Sequence, residues 1–376
     1  MTDNTLFCAV CLFGLESLLG EELDAMGCKR TETIDGRVFF TAPLDYTARV
    51  NIRSRYAERI YIVTGSFAAE TFDALFEGTK ALPWEEYIGR DDRFPVTGHS
   101  VKSKLFSVPD CQSIVKKAVV ERLKRKYTLS IFPETGANCR VEFFILKDKA
   151  WLMLDTSGTP LHKRGYRPET VTAPLRETLA AALAKLARPR EDVLFWDPFC
   201  GSGTIAIEAA TQMTCRAPGL DRTFAAQSYG FLPKTVWQNA FDEARSEIKT
   251  DTIFEAFASD NDAECVRVAK ESADRAGVGK YVKTFTADAL EIETGGRRGT
   301  VVCNPPYGER LLDLERCEEL YKAMGKSWER LGKWQIYVLC SHEGFERLYG
   351  RRADKVRKLY NGMIKCNFYQ FFKNNG

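Results

Sequence analysis

The chain has 376 residues and a mass of 42.5 kDa. That is about two and a half domains at roughly 150 residues each, which excludes a single small binding module. Hydrophobic residues at 44% and charged residues at 28% exclude wholesale disorder and collagen-like or coiled-coil classes. The net charge of +3 is by itself no nucleic-acid signature. The longest apolar stretches, such as 6–15, fall well short of the ~18 residues a membrane span needs, and the start Met-Thr-Asp-Asn has no basic n-region. The expectation is a soluble, cytoplasmic protein without a membrane partner.

In chain order, residues 1–57 alternate strand-like runs (6–12, 37–41) with a helical pattern (15–26), a small α+β unit. A second unit, 58–160, has strands expected at 59–67, 93–99, 140–146 and 150–155. Between Thr97 and Thr170 there are fourteen Lys/Arg against seven Asp/Glu, +7 in that stretch, so the remainder sums to −4. Within it, 113–127 reads as an amphipathic helix with Ile114, Val115, Ala118, Val119 and Leu123 as the buried stripe. Its cations, among them Lys116, Lys117 and Arg125, form either a solvated helix face or a phosphate-tracking surface. The connector Leu161-His-Lys-Arg-Gly-Tyr-Arg-Pro168 is basic, aromatic and punctuated by Gly and Pro, hence expected to be exposed.

From about 174 the rhythm becomes βαβ alternation. Strands are expected at 193–197, 253–259, 281–286, 300–303 and 335–341, and helices at 175–186, 203–213, 262–276 and 315–331. This predicts a parallel sheet covered on both faces. Runs at 356–360 and 366–372 around Asn361-Gly362 predict a closing antiparallel hairpin. The stretch 214–250, with Tyr229, Phe231 and Trp237, is either core packing or a lid. Twelve cysteines lie mostly in apolar runs. The lone C-x-x-C, Cys8 and Cys11, falls in a strand-like run where residues three apart face opposite ways, so reduced core cysteines and no metal site are expected.

Asp197-Pro-Phe-Cys-Gly-Ser-Gly-Thr204 follows an apolar strand and opens a helix. Gly201 and Gly203 would let backbone approach a ligand, and Asp197 could accept from a polar or cationic group. The run from Gly201 to Ala206 also fits the G-x-G-x-x-A dinucleotide fingerprint. That fingerprint wants an acid about 20 residues on, whereas the acid ending the next strand, Asp260, stands 57 residues beyond Gly203. Asp260, with Asn261, is placed either to hold ribose hydroxyls or to cap the following helix. Asp288, followed by Ala289, offers the same choice between an adenine amine and a cap. Asn304-Pro-Pro-Tyr307 tips the balance. The Asn304 side-chain oxygen and the Pro305 carbonyl form an acceptor pair for a planar amine, Pro306 stiffens the loop, and Tyr307 offers a face for a base.

Taken together, glycine turn, two acids and N-P-P-Y resemble the class I S-adenosylmethionine-dependent methyltransferases that methylate amines. The connector, with Ala173-Pro-Leu-Arg-Glu-Thr-Leu, is similar to the junction in the THUMP-containing RNA methyltransferases, and most of all to the bacterial type acting on large-subunit ribosomal RNA. The resemblance implies a ferredoxin-like unit (1–57), a THUMP RNA-binding domain (58–160) and a Rossmann-like methyltransferase domain (161–376). It implies S-adenosylmethionine held by Pro174, Leu175, Asp197, Pro198, Phe199, Gly201, Gly203, Thr204, Asp260, Asn261, Asp288, Ala289 and Asn304, with catalysis by Asn304, Pro305, Pro306 and Tyr307. The product would be N2-methylguanosine in ribosomal RNA, with transfer RNA as the second choice. RNA contacts are expected from Lys116, Lys117, Arg125, Lys163, Arg164, Tyr166, Arg167 and Arg310. Amines of DNA or of protein glutamine, and a non-catalytic RNA-binding assembly factor, are the competing readings.

Overall fold

Residues 4–129, 131–168, 175–307 and 311–372 are described by a computed structural model, without the side chains of 311 and 312. The chain divides into two units. The first comprises residues 1–11, 19–161 and 222–243, and the second residues 12–18, 162–221 and 244–376.

The first unit is built on one seven-stranded sheet. Its elements are β1 (Thr5–Cys11), α1 (Glu16–Ala25), β2 (Lys29–Ile34), β3 (Arg37–Ala42), α2 (Tyr46–Arg53), β4 (Ala57–Ala68), α3 (Phe72–Ala81), β5 (Val96–Val101), α4 (Val108–Tyr127), β6 (Val141–Leu146) and β7 (Lys149–Asp155). The order β2-β3-β1-β4-β7-β6-β5 carries a single sheet through both N-terminal segments. β2, with the run KRTETI, is exposed along almost its whole length, so no apolar alternation announces it. Pro95 lacks an N–H, and the strand expected from 93 begins only at Val96, Arg93 making an isolated bridge to Asn138. α4 starts five residues earlier than its apolar pattern, because Pro109 in the first turn costs no helical hydrogen bond. Cys111, Val115, Ala118, Val119 and Leu123 are its buried stripe, and Ile114 is only half-buried.

Residues 222–243 pack within this unit. Trp237 stacks on Phe224 at 5.2 Å, Phe231 meets Tyr87 edge-on at 5.4 Å, and the buried Tyr229 donates its hydroxyl to the Asp155 carbonyl. Of the two expectations for these aromatics, core packing is the one observed.

The second unit contains α5 (Glu177–Ala187), β8 (Leu194–Asp197), α6 (Thr204–Met213), the end of α7 (Lys234–Ser246), β9 (Ala256–Asp260), α8 (Ala263–Arg275), β10 (Val282–Thr286), β11 (Gly299–Cys303), α9 (Leu311–Trp328), β12 (Gln335–Cys340), α10 (Phe345–Tyr349), β13 (Lys355–Asn361) and β14 (Ile364–Phe371). Its sheet runs β10-β9-β8-β11-β12-β14-β13. The first five strands are parallel, and β14 and β13 close the edge as an antiparallel hairpin. This is the class I methyltransferase architecture. Apolar runs such as VVC of β11 and YVLC of β12 are buried completely, as strands covered on both faces must be. Sequential order reverses between β8 and β11, and the crevice above that point is where open α/β sheets bind ligands.

Ten of the twelve cysteines are buried, Cys215 and Cys265 being partly exposed. No helix among the described residues is long and apolar enough to cross a membrane.

Candidate active site

β8 delivers Asp197 to the end of the sheet, and the six residues after it fold into a turn before α6. The Gly203 N–H closes that turn on the Cys200 carbonyl at 2.7 Å. Both glycines adopt left-handed backbone, φ +50° at Gly201 and +77° at Gly203, a region costly for any residue with a Cβ. Their surroundings differ. A Cβ on Gly201 would meet nothing within 4 Å, whereas one on Gly203 would sit 3.0 Å from the Ala269 Cβ of α8. Gly201 is therefore the glycine that leaves room for a ligand, and Gly203 is the one that lets α6 and α8 pack.

A cavity of about 490 Å³ opens over this turn, at the carboxyl ends of β8, β9 and β11. Asp197, Pro198, Phe199 and Gly201 form one side, with Thr204 and Leu175. Asp260, Asn261, Asp288 and Ala289 form another, and Asn304 and Pro306 a third. Elements far apart in sequence thus converge because parallel strands end on one edge.

The acids divide by environment. Asp197 is 1% exposed, accepts from the Phe199 N–H at 3.2 Å, and has no cationic partner among the described residues. Burial pushes its carboxyl well above the usual range, helped by the negative charge of Asp260. Asp260 accepts from the Gly201 N–H at 2.9 Å and the Asp262 N–H at 3.1 Å. The cap of α8 is Asp262, which accepts from the Glu264 N–H at 2.8 Å. Asp260 is thereby excused from capping and faces the cavity. Asp288 accepts from the Leu290 N–H at 2.8 Å. Its loop is pinned from α9, where Trp328 donates to the Ala289 carbonyl at 2.8 Å.

Asn304 lines the cavity and its side-chain oxygen accepts from the Tyr307 hydroxyl. The Pro306 carbonyl accepts from Tyr321 at 2.6 Å. Pro305 is buried and Tyr307 half-buried, and neither belongs to the cavity wall. Tyr307 was expected to offer a ring face to a base. Instead it packs beside the core cluster of Tyr321, Cys340 and Tyr369. Burial drives its hydroxyl far above the usual phenol range.

Pro174 and Arg310 lie outside the described residues. Among the expected RNA contacts, Lys117, Arg125 and Lys163 are exposed. Lys116 is not free. It donates to the Phe94 carbonyl and pairs with Glu134, both at 3.1 Å, and lies 3.6 Å from the Phe94 ring centre. Two residues of the connector are interior. Arg164 is 4% and Tyr166 6% exposed, and they meet the buried Glu208 of α6 at 3.7 Å and 3.1 Å. The expectation of an exposed connector is corrected there. A buried carboxylate demands a charged or donating partner, and Glu208 draws both inward. Arg167 is half-buried, donating to the Leu175 carbonyl at 3.1 Å and pairing with Glu177 at 2.6 Å.

Cys200, Ser202, Ile205, Cys265 and Leu320 also line the cavity and were not singled out from sequence. The first two sit inside the glycine turn already recognised. Cys265 and Leu320 come from the first turn of α8 and from α9, and only the folded arrangement brings them there.

Three family profiles match: one described as "RMKL-like, methyltransferase domain" over 164–370, an "RlmL ferredoxin-like domain" over 6–61 and a "THUMP domain" over 69–155. The chain is 45% identical to "Putative RNA methyltransferase YpsC" of Bacillus subtilis, over 96% of this chain and 94% of that one. It is 30% identical to "Ribosomal RNA large subunit methyltransferase K/L" of Shewanella frigidimarina, over 94% of this chain but 51% of that one, so it spans about half the length of the K/L relatives. Among solved structures, a "predicted N6-adenine-specific DNA methylase" from Listeria monocytogenes superposes with a TM-score of 0.94 at 44% identity, covering 99% of this chain and 97% of that one. SMU.472, solved as a complex with SAH, gives 0.93 at 37% identity over the full length of both.

Proposed function

The chain belongs to the RMKL-like methyltransferase family, and from that premise we propose that it methylates the exocyclic N2 amine of a guanosine in RNA, using S-adenosylmethionine and preferring large-subunit ribosomal RNA. The observation that carries this reading is the convergence of Asp197, Gly201, Asp260 and Asn304 on one cavity at the reversal of strand order. The THUMP match and the names of the YpsC and K/L relatives support RNA as substrate, and the SAH complex of SMU.472 supports the cofactor.

The residues present fit S-adenosylmethionine. Asp197 is a buried acid with no cationic partner among the described residues, and a positively charged ligand group would stabilise its ionised form. Each Asp260 oxygen already accepts one backbone N–H and keeps a second lone pair for a ribose hydroxyl. Gly201 leaves open space where a side chain would stand. Asp288 and Ala289 would meet the adenine. The bound cofactor supplies an activated methyl group, so the chain's work is to position and polarise the acceptor.

Guanine N2 is a weak nucleophile because its lone pair is delocalised into the ring. Asn304 and the Pro305 carbonyl would accept its two N–H hydrogens, returning electron density to nitrogen and stabilising the charge that develops there. Holding that nitrogen about 3 Å from the methyl, correctly aimed, is the main catalytic contribution. Tyr307, packed on the core and donating its hydroxyl to Asn304, would hold the Asn304 side chain in position. No histidine or lysine lies in the motif, and the proton leaves to water.

The test is transfer of labelled methyl from S-adenosylmethionine to total RNA and, in a parallel reaction, to genomic DNA of a strain lacking this protein, with nucleoside analysis and separation by size. Label in N2-methylguanosine of large-subunit ribosomal RNA is expected. Label in transfer RNA would shift the substrate, and label only in DNA adenine would favour the reading carried by the Listeria protein's name.

A further inference from the structure

The β13–β14 hairpin carries an unusual combination at its tip. Residues 355–372 hold four cations, Lys355, Arg357, Lys358 and Lys365, and no carboxylate. Between the last two stands Met363, 98% exposed, followed by Ile364 at 43%. A large apolar side chain in full contact with water, with Lys365 two residues after it and Lys358 on the strand leading to the turn, gains nothing for the fold. Apolar wedges flanked by cations are how proteins enter nucleic-acid stacks.

Its place in the fold gives the tip a task. Cys340, the last residue of β12, pairs with Asn367 of β14, and β12 runs parallel to β11 and, through it, to β8. The turn at Met363 therefore lies four residues past the end of β12 at Cys340, about 14 Å at a strand rise of ~3.4 Å per residue, and so beyond the strand ends that carry Asp197, Asp260 and Asn304. The tip is tied to the catalytic loop, because the Tyr307 hydroxyl contacts Cys366 and Asn361 as well as Asn304. It is also braced from behind. Arg357 donates to the Gly14 carbonyl at 3.0 Å, Phe13 meets Tyr360 edge-on at 5.9 Å, and Leu359 is fully buried. A stiff arm with an unsupported apolar end is what a wedge requires.

We propose that this hairpin tip engages the RNA beside the target nucleotide, Met363 packing into the stack the base leaves while Lys358 and Lys365 hold the flanking phosphates. The inference rests on the RNA reading above and adds to it the device that keeps the base out of its stack. Backbone contacts form on binding, whereas the wedge acts on the bound complex, so the two should separate kinetically.

The experiment measures initial rates of methyl transfer to total RNA from a strain lacking the protein, with the full chain and three variants. Met363→Ala should lower kcat about ten-fold or more while KM for RNA changes less than about two-fold. Met363→Leu should restore most of kcat, since an apolar side chain of similar reach suffices. The double variant Lys358→Glu/Lys365→Glu should raise KM about ten-fold or more and flatten its salt dependence. SAH affinity should be unchanged in all three. Wild-type turnover by Met363→Ala would overturn the wedge while leaving the RNA reading intact. No label in any RNA with the wild-type chain would overturn the RNA reading, and the wedge with it.

Discussion

Exchanging each glycine of the turn after β8 for alanine separates two roles that look alike in sequence. At Gly203 a methyl group faces a left-handed φ of +77° and an Ala269 Cβ at 3.0 Å, against an optimal carbon separation of about 3.5–4.0 Å. The backbone costs about 1–2 kcal/mol, and overpacking between α6 and α8 about 1–3 kcal/mol. The reduced freedom of the unfolded chain returns about 0.4–1 kcal/mol. The net loss is about 2–4 kcal/mol, which for a unit of this size lowers Tm by roughly 5–15 °C. At Gly201 the same backbone cost applies, but nothing lies within 4 Å of the new methyl group, so Tm should fall by roughly 2–4 °C or less. The methyl group instead intrudes on the cavity and should weaken SAH binding by roughly 10- to 100-fold, equivalent to about 1.4–2.7 kcal/mol. Differential scanning fluorimetry and isothermal titration calorimetry with SAH read both effects. Equal Tm losses in the two variants would refute the packing role of Gly203, and undiminished SAH affinity in Gly201→Ala would refute the assignment of the cavity.

Asn304→Ala should reduce kcat by about 10²–10³-fold, as loss of one group stabilising transition-state charge does, with SAH affinity within a few-fold; steady-state rates and calorimetry check this. Charge reversal at the exposed Lys117 and Arg125 should weaken RNA binding and lower the slope of log K against log salt by about 1.5. Arg164→Ala and Tyr166→Phe should leave that slope unchanged. Arg164→Ala should instead cost about 3–5 kcal/mol by removing the cation beside the buried Glu208, and Tyr166→Phe about 1 kcal/mol, both read from denaturant unfolding. Because burial raises the Asp197 carboxyl above its unfolded value, the stability it contributes without ligand is complete below the ordinary aspartate range and is lost as pH rises through the raised value. Cation binding has the opposite sign, needing the ionised form. SAH affinity should strengthen with pH across that window, and Asp197→Asn should flatten the dependence in calorimetric titrations.

The order of elements in the second unit was legible because a parallel sheet buried on both faces leaves continuous apolar runs, and VVC and YVLC can be little else. The motifs at the strand ends were legible for a related reason, since glycines and prolines are tolerated there only where backbone geometry demands them. Elements stabilised by tertiary context escaped. β2 has no buried face to betray it, and 222–243 joins the first unit although its sequence lies between elements of the second.

Within the site, sequence determined which residue types stand at the ends of β8, β9 and β11, and so the chemistry the crevice can hold. Tertiary structure decided which of them do so. Asp262 caps α8 and releases Asp260, Ala269 claims Gly203, and Glu208 draws Arg164 and Tyr166 out of the solvent where their charge and aromaticity alone would have left them. Composition and spacing specify what a side chain can do. Burial and the partners across the fold, which depend on contacts far apart in the chain, specify what it does.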